Sequence, residues 1–259
     1  MALRLSGRRP PKGRNAAALR NWGIIFLTIG VAGRVLLQKG LLGIGSITSE
    51  ELLVAMQADP TVMTIATVAL VCQLIETCAA PMFAFLLVEG FQRTSSFEKY
   101  LLRVAGVALV SELPYNLAFS GSLFDLNSRN PVFALVICLV MLYFFNKYQE
   151  KSVKNIAMKA LIAAASFLWC LMLHIDQGIC LVIMVGFLWV VRNKSNMRAL
   201  FGFCSAMVCT LFDMFYMGSC MAFIFLHRYD EERGDQNRVF NYAFYPVMLL
   251  LIGIAAKFL

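Results

Sequence analysis

Charge is scarce in this sequence. Asp, Glu, Lys and Arg make up 15% of its 259 residues, against about a quarter in a soluble domain. Hydrophobic residues account for 60% and mean hydropathy is +0.72. So few charges cannot cover a water-exposed surface, which excludes the soluble classes and makes the chain an integral membrane protein in contact with the lipid bilayer. Long polar stretches are also missing, so there is no room for a second folded domain. A basic cytoplasmic segment, 1–21, precedes a single bundle, 22–259. Histidine is nearly absent, with only His174 and His227. The eight cysteines form no CxxC pair and fall within, or just inside, apolar runs. They read as buried apolar side chains rather than a disulfide or zinc framework, and no metal is expected. The net charge of +8 does not signal a nucleic-acid partner, because the basic residues are dispersed over short loops.

What is present is a series of apolar runs. The basic start, with no cleavage site after the next run, reads as a signal anchor. A first membrane helix over 22–44 has the roughly 20 residues a span requires. Thr48-Ser49-Glu50-Glu51 matches a capping box and begins a short surface helix that stops near Pro60. The run 62–91 exceeds the hydrocarbon thickness and is expected to tilt, kink near Pro81, or project outward. Further helices are expected near 98–118, 130–148, 155–173, 177–192, 197–212, 215–228 and 239–257. If 197–228 crosses twice, five segments on one side carry 19 of the 23 Lys and Arg, as the positive-inside rule requires. The fold class is therefore all-α, a polytopic transmembrane helical bundle of about nine helices. Its N-terminus is expected to be cytoplasmic and its C-terminus outside.

Ionisable residues within the spans are the candidates for function, since charge in hydrocarbon costs about 2.5–3.5 kcal/mol on insertion scales. Arg34 lies roughly 18 Å from the inner end of the first helix, too deep to reach that surface easily. Glu76 and Glu112 fall in the outer halves of the next two spans. His174, Asp176 and Asp213 stand at outer helix ends, so the topology gathers these groups at one depth. Arg34 is expected to contact Glu76 or Glu112. Glu89 lies near the inner surface, four residues before Arg93, and suits an i,i+4 ion pair. Plainer roles compete with chemistry: capping for Asp176 and Asp213, an interface hydrogen bond for His174, and fixing of helix order for the arginine–glutamate pair.

The stretch from Pro81 to Gly121 carries a resemblance. LLVEGF (Leu86–Phe91), KYLLR (Lys99–Arg103) and SELPYNLAF (Ser111–Phe119) resemble the signature of the TraX family, polytopic membrane proteins related to acyltransferases. NPVFAL (Asn130–Leu135), DQG (Asp176–Gly178), ERG (Glu232–Gly234) and NYAFYP (Asn241–Pro246) extend the likeness. The resemblance implies transfer of an acyl group, with acetyl-CoA as donor, to a peptide or other acceptor at the outer face. N-terminal acetylation of a conjugative pilin is the chemistry linked to the family's named example. Such chemistry needs a base for the acceptor and donors for the developing oxyanion. His174 or Glu112 would serve as base and Arg34 as the charge partner, with Asp176 close enough to His174 to orient it.

Three positions depart from the family's pattern. Its first helix usually carries an Asp-His pair, where this chain reads Ile25 to Val35 with neither residue. Its RxxGR element is here Gln73-Leu74-Ile75-Glu76-Thr77, and its late YPxH is Tyr245-Pro246-Val247-Met248. Two functions of different class are therefore carried forward. One is an acetyltransferase-type enzyme. The other is a non-catalytic membrane subunit that holds a peptide, lipid or membrane-protein partner.

Overall fold

The structure is a computed structural model that describes residues 15–44, 48–125, 127–150, 152–230, 232, 234 and 238–258. The basic residues of 1–14, and Arg233 of the ERG motif, lie outside the described residues. The chain is helical throughout, with one isolated extended pairing between Arg129 and Ile175 among the described residues.

The first rod combines α1 (Ala16–Ala32) with a π-helical continuation (Gly33–Leu41). It begins six residues before Trp22 because Asn15 caps it, its side chain accepting a hydrogen bond from the Ala18 N–H at 2.8 Å. α2 (Ser49–Ala58) opens on the expected capping box, with Thr48 and Glu51 bonding each other's backbone N–H. Asp59 then caps α3 (Pro60–Thr77), where Pro60 occupies a first-turn position that needs no N–H partner. The long apolar run breaks at Cys78, between α3 and α4 (Ala79–Arg93), three residues before Pro81. Proline there removes a backbone donor that would otherwise tie the two halves into one straight rod.

α5 (Phe97–Ser120), α6 (Val132–Lys147), α7 (Val153–Met172), α8 (Gly178–Val190) and α9 (Ser195–Cys209) follow. The segment 197–228 divides: after α9, a 3₁₀ turn (Met214–Met221) leads into α10 (Ala222–His227). Asp213 caps that second piece, its carboxylate accepting from the Phe215 N–H at 2.9 Å. α11 (Arg238–Ala255) closes the bundle beside α5. Counted as continuous rods, the described residues form ten helical runs rather than nine, the short α2 being the tenth. Four of the runs, Ala16–Leu41, Pro60–Arg93, Val153–Met172 and Val239–Phe258, are long and apolar enough to cross a membrane. The chain is an all-α membrane protein.

The principal core forms where α4, α6 and α8 meet, around Phe85, Leu139, Leu142, Met184 and Trp189. A smaller core of Val31, Val35, Tyr115 and Leu249 joins the first rod to α5 and α11. The site lies beside this second core. α1 reaches α3 so closely because two glycines face it. A Cβ on Gly30 would sit 2.0 Å from the Glu76 Cβ, and one on Gly33 would sit 2.4 Å from the Cys72 Cβ. Small residues bring two backbones together in a membrane, where apolar side chains have lipid as an equal alternative.

Candidate functional site

Close approach at Gly30 and Gly33 places Arg34 opposite the end of α3. Its Nη2 donates to Glu76 Oε1 at 2.5 Å and its Nη1 donates to Asp176 Oδ2 at 3.0 Å. The guanidinium also lies over the Phe119 ring, 4.6 Å from its centroid. Glu76 is 2% exposed and Arg34 and Asp176 are partly buried, so the triad is largely withdrawn from water. One cation facing two carboxylates leaves a formal charge of −1 with all three ionised. The expected Arg34–Glu76 contact is present; Glu112 is engaged elsewhere.

The turn that delivers Asp176 is unusual. His174 and Gln177, on either side of it, both have left-handed backbones, with φ of 51° and 56°. Gln177 Nε2 donates to Glu76 Oε1 at 3.3 Å, and its Oε1 accepts from the Tyr216 hydroxyl at 3.2 Å. Gly178 fits here because a Cβ would press on Cys170 and Ile175 at about 3 Å. The turn is held from outside by two backbone hydrogen bonds. Arg129 N–H donates to the His174 carbonyl, and Asp176 N–H donates to the Arg129 carbonyl, each at 2.9 Å.

The Arg129 side chain builds a second cluster. Its Nη1 donates to Glu112 Oε1 at 3.0 Å, while Asn130 donates to Glu112 Oε2 from its side chain at 2.7 Å and from its backbone at 3.3 Å. Both oxygens of Glu112 are thus engaged. Asp176 gives Oδ2 to Arg34, and the exposed His174 imidazole makes no hydrogen bond among the described residues. His174 enters the arrangement through its carbonyl. At the opposite end of α4, Glu89 and Arg93 form the anticipated ion pair, to which the Tyr229 hydroxyl adds a hydrogen bond at 3.2 Å.

A largely apolar cavity of about 200 Å³ lies behind Glu76. It follows α1 past Leu27 and Ile24 to Arg20, a length of roughly 15 Å at the helical rise. Six buried side-chain polar atoms have no partner among the described residues, and three of them belong to residues lining this cavity: Glu76 Oε2, Arg20 Nε and Asn241 Oδ1. Buried polar groups are normally paired, so this concentration marks the cavity as a place that a polar ligand or water completes. A fourth, Arg34 Nε, is in the triad itself.

Sequence reasoning missed Gln177, Arg129 and Asn130. An amide carries no charge to betray its depth, and Arg129 lies in a loop where arginine is unremarkable. Their signal was the DQG and NPVFAL motifs, which contain or directly follow them.

No curated protein and no solved structure matches the chain. The TraX protein family does match, over residues 52–256, and this stretch contains every cluster residue except Arg34 on the first rod. The chain belongs to the TraX family.

Proposed function

We propose that the chain is a membrane-embedded acyltransferase of TraX type, using acetyl-CoA and a peptide amine, with the Arg34–Glu76–Asp176 cluster as its reaction site. The observation that carries this reading is a pair of buried atoms within one ion pair, Arg34 Nε and Glu76 Oε2, that have no partner among the described residues. An acyl-transfer site requires both kinds of group: a donor for the oxyanion of the tetrahedral intermediate and an acceptor for the attacking N–H. With all three groups ionised, the formal charge of −1 on the triad also favours an amine over an anion.

In this mechanism Glu76 Oε2 accepts a hydrogen bond from the acceptor amine and orients it. Arg34 Nε–H donates to the carbonyl oxygen as negative charge develops there. Asp176 and Gln177 hold these two groups in register. As the amine nitrogen bonds the acetyl carbon, His174, exposed on the same turn, takes the proton that the amine loses and passes it to solvent; the tetrahedral intermediate then collapses with cleavage of the C–S bond, and CoA leaves as the thiolate, which solvent protonates. Glu112 fixes the 129–130 loop that supports the turn.

We assign the cavity, largely apolar and roughly 15 Å long, to the linear arm of acetyl-CoA, whose thioester supplies the acetyl group. An amide both donates and accepts, which matches Asn241 Oδ1 and Arg20 Nε. Arg20 lies toward the N-terminal end of the first rod, so a cytoplasmic N-terminus places that end toward the cytosolic donor. The triad then faces an acceptor on the other side of the membrane.

One observation favours the non-catalytic alternative. Met248 stands where the family's late histidine is expected; it is buried in the smaller core and accepts a hydrogen bond from Thr28 at 3.2 Å. That contact is packing rather than chemistry. The test is transfer of radiolabelled acetyl from acetyl-CoA to an amine-bearing peptide by the purified protein. Labelled peptide is expected; no labelling and no acetyl-CoA binding would assign the chain to the subunit role.

A further inference from the structure

α5 and α11 lie side by side along most of their length, but a groove of about 640 Å³ separates them on the surface of the bundle. Three features of the sequence create it. Gly106 has no neighbour within 4 Å of where its Cβ would stand, so nothing fills the groove from its middle. Pro114 and Pro246, each inside its helix, line the far end. The exposed Val110 and Val247 supply apolar flanks.

The two ends of the groove differ in charge. Arg103 occupies one end, is exposed, and makes no ion pair among the described residues. From Arg103 to Pro114 the groove follows about eleven residues of α5, roughly 16 Å. That is close to half of an approximately 30 Å hydrocarbon core, the depth of one leaflet. An apolar trough one leaflet deep, with a cation at its interfacial end, is complementary to a membrane lipid with an anionic headgroup.

We propose that this groove binds one acyl chain of an anionic phospholipid, with the headgroup phosphate on Arg103. The site has a second consequence, because Val107 and Tyr242 line both the groove and the cavity behind Glu76. A chain lying in the groove backs these two residues and completes the wall between the cavity and the bilayer. The lipid thereby holds the cavity closed on its lateral side. This inference concerns lipid binding alone and stands whether or not the chain transfers acetyl groups.

Native mass spectrometry of the detergent-solubilised protein tests it, with phosphatidylglycerol and phosphatidylcholine of matched chains as probes. The parent protein is expected to retain phosphatidylglycerol in preference to phosphatidylcholine by about tenfold, equivalent to about 1.4 kcal/mol. Gly106→Leu places a side chain in open space and is expected to weaken retention of both lipids by a similar factor. Arg103→Gln, at an exposed position, is expected to abolish the preference while leaving chain binding. Equal retention of the two lipids by the parent would overturn the proposal. So would a Gly106→Leu protein that binds both lipids as the parent does, or a preference that survives Arg103→Gln.

Discussion

Two carboxylate clusters stand on either side of the 174–177 turn, and they are built to opposite plans. Around Glu112, Arg129 and Asn130 meet both carboxylate oxygens. Around Glu76, a residue that lines the cavity, both nearby donors converge on Oε1, and among the described residues neither Glu76 Oε2 nor Arg34 Nε has a partner. A saturated cluster has nothing left to offer a ligand and serves to hold a loop. An unsaturated one, whose buried groups lack partners among the described residues, is the more costly arrangement. Its presence next to a cavity points to a ligand that completes it. The 129–176 backbone pairing joins the two, so the saturated cluster positions the unsaturated one.

The largest expected effect concerns His174, at the joint between the clusters. His174→Ala is expected to lower the rate of acetyl transfer by about 10²–10⁴ while leaving the melting temperature unchanged, because the exposed imidazole supports nothing structural. Full activity in that variant would remove histidine from the proposed chemistry. Arg34→Leu comes next. It strands Glu76 in a nearly dry site, and breaking a buried pair by removing one partner costs about 3–5 kcal/mol. Unfolding in detergent should show that loss, and Arg34→Leu combined with Glu76→Leu should recover part of it. A double variant less stable than the single one would contradict the pairing account.

Much of this arrangement was legible in the sequence. An arginine some 18 Å into an apolar helix demands a carboxylate at the same depth, and counting along the spans brought forward Glu76 and Glu112, of which Glu76 is the partner. A break near Pro81, one of three alternatives that the length of the run allowed, and the Glu89–Arg93 pair were also legible, as was the division of 197–228 into two pieces. The π-helical continuation from Gly33 did not, because its cause is tertiary: α1 meets α3 through glycines whose significance appears only with the opposing helix in place. Asp176 stood correctly at the level of Arg34, yet sequence proximity suggested that it orient His174. Its carboxylate instead pairs with Arg34, 142 positions away. The early start of α1 was hidden because Asn15 caps it within a stretch that reads as a basic tail.

Two smaller tests sharpen the contrast between a site made by close packing and an element held by local bonds. Gly30→Val forces a side chain against Glu76 and is expected to cost about 1–3 kcal/mol by overpacking. It should also reduce transfer, since α1 must move away with Arg34; a stable and active variant would refute the role given to close approach. α2, by contrast, depends on its own cap. Hydrogen bonds from the Thr48 N–H and hydroxyl hold Glu51 below the usual carboxylate range. A depressed pKa contributes stability above the unfolded-state value and loses it as pH falls through the folded-state value. Amide exchange in α2 should therefore quicken in mildly to strongly acidic solution after correction for intrinsic rates. Glu51→Ala should abolish that pH dependence without affecting the triad.

The proposed chemistry requires that the unsaturated cluster act on a substrate and that the saturated one not. The most direct measurement compares acetyl transfer by Glu76→Gln and Glu112→Gln in protein shown to be folded. A loss of about 10²–10⁴ is expected for Glu76→Gln, whose orphan acceptor is replaced, and a change within about a few fold for Glu112→Gln, which keeps an acceptor for Arg129. Equal losses, or a larger loss for Glu112→Gln, would contradict it.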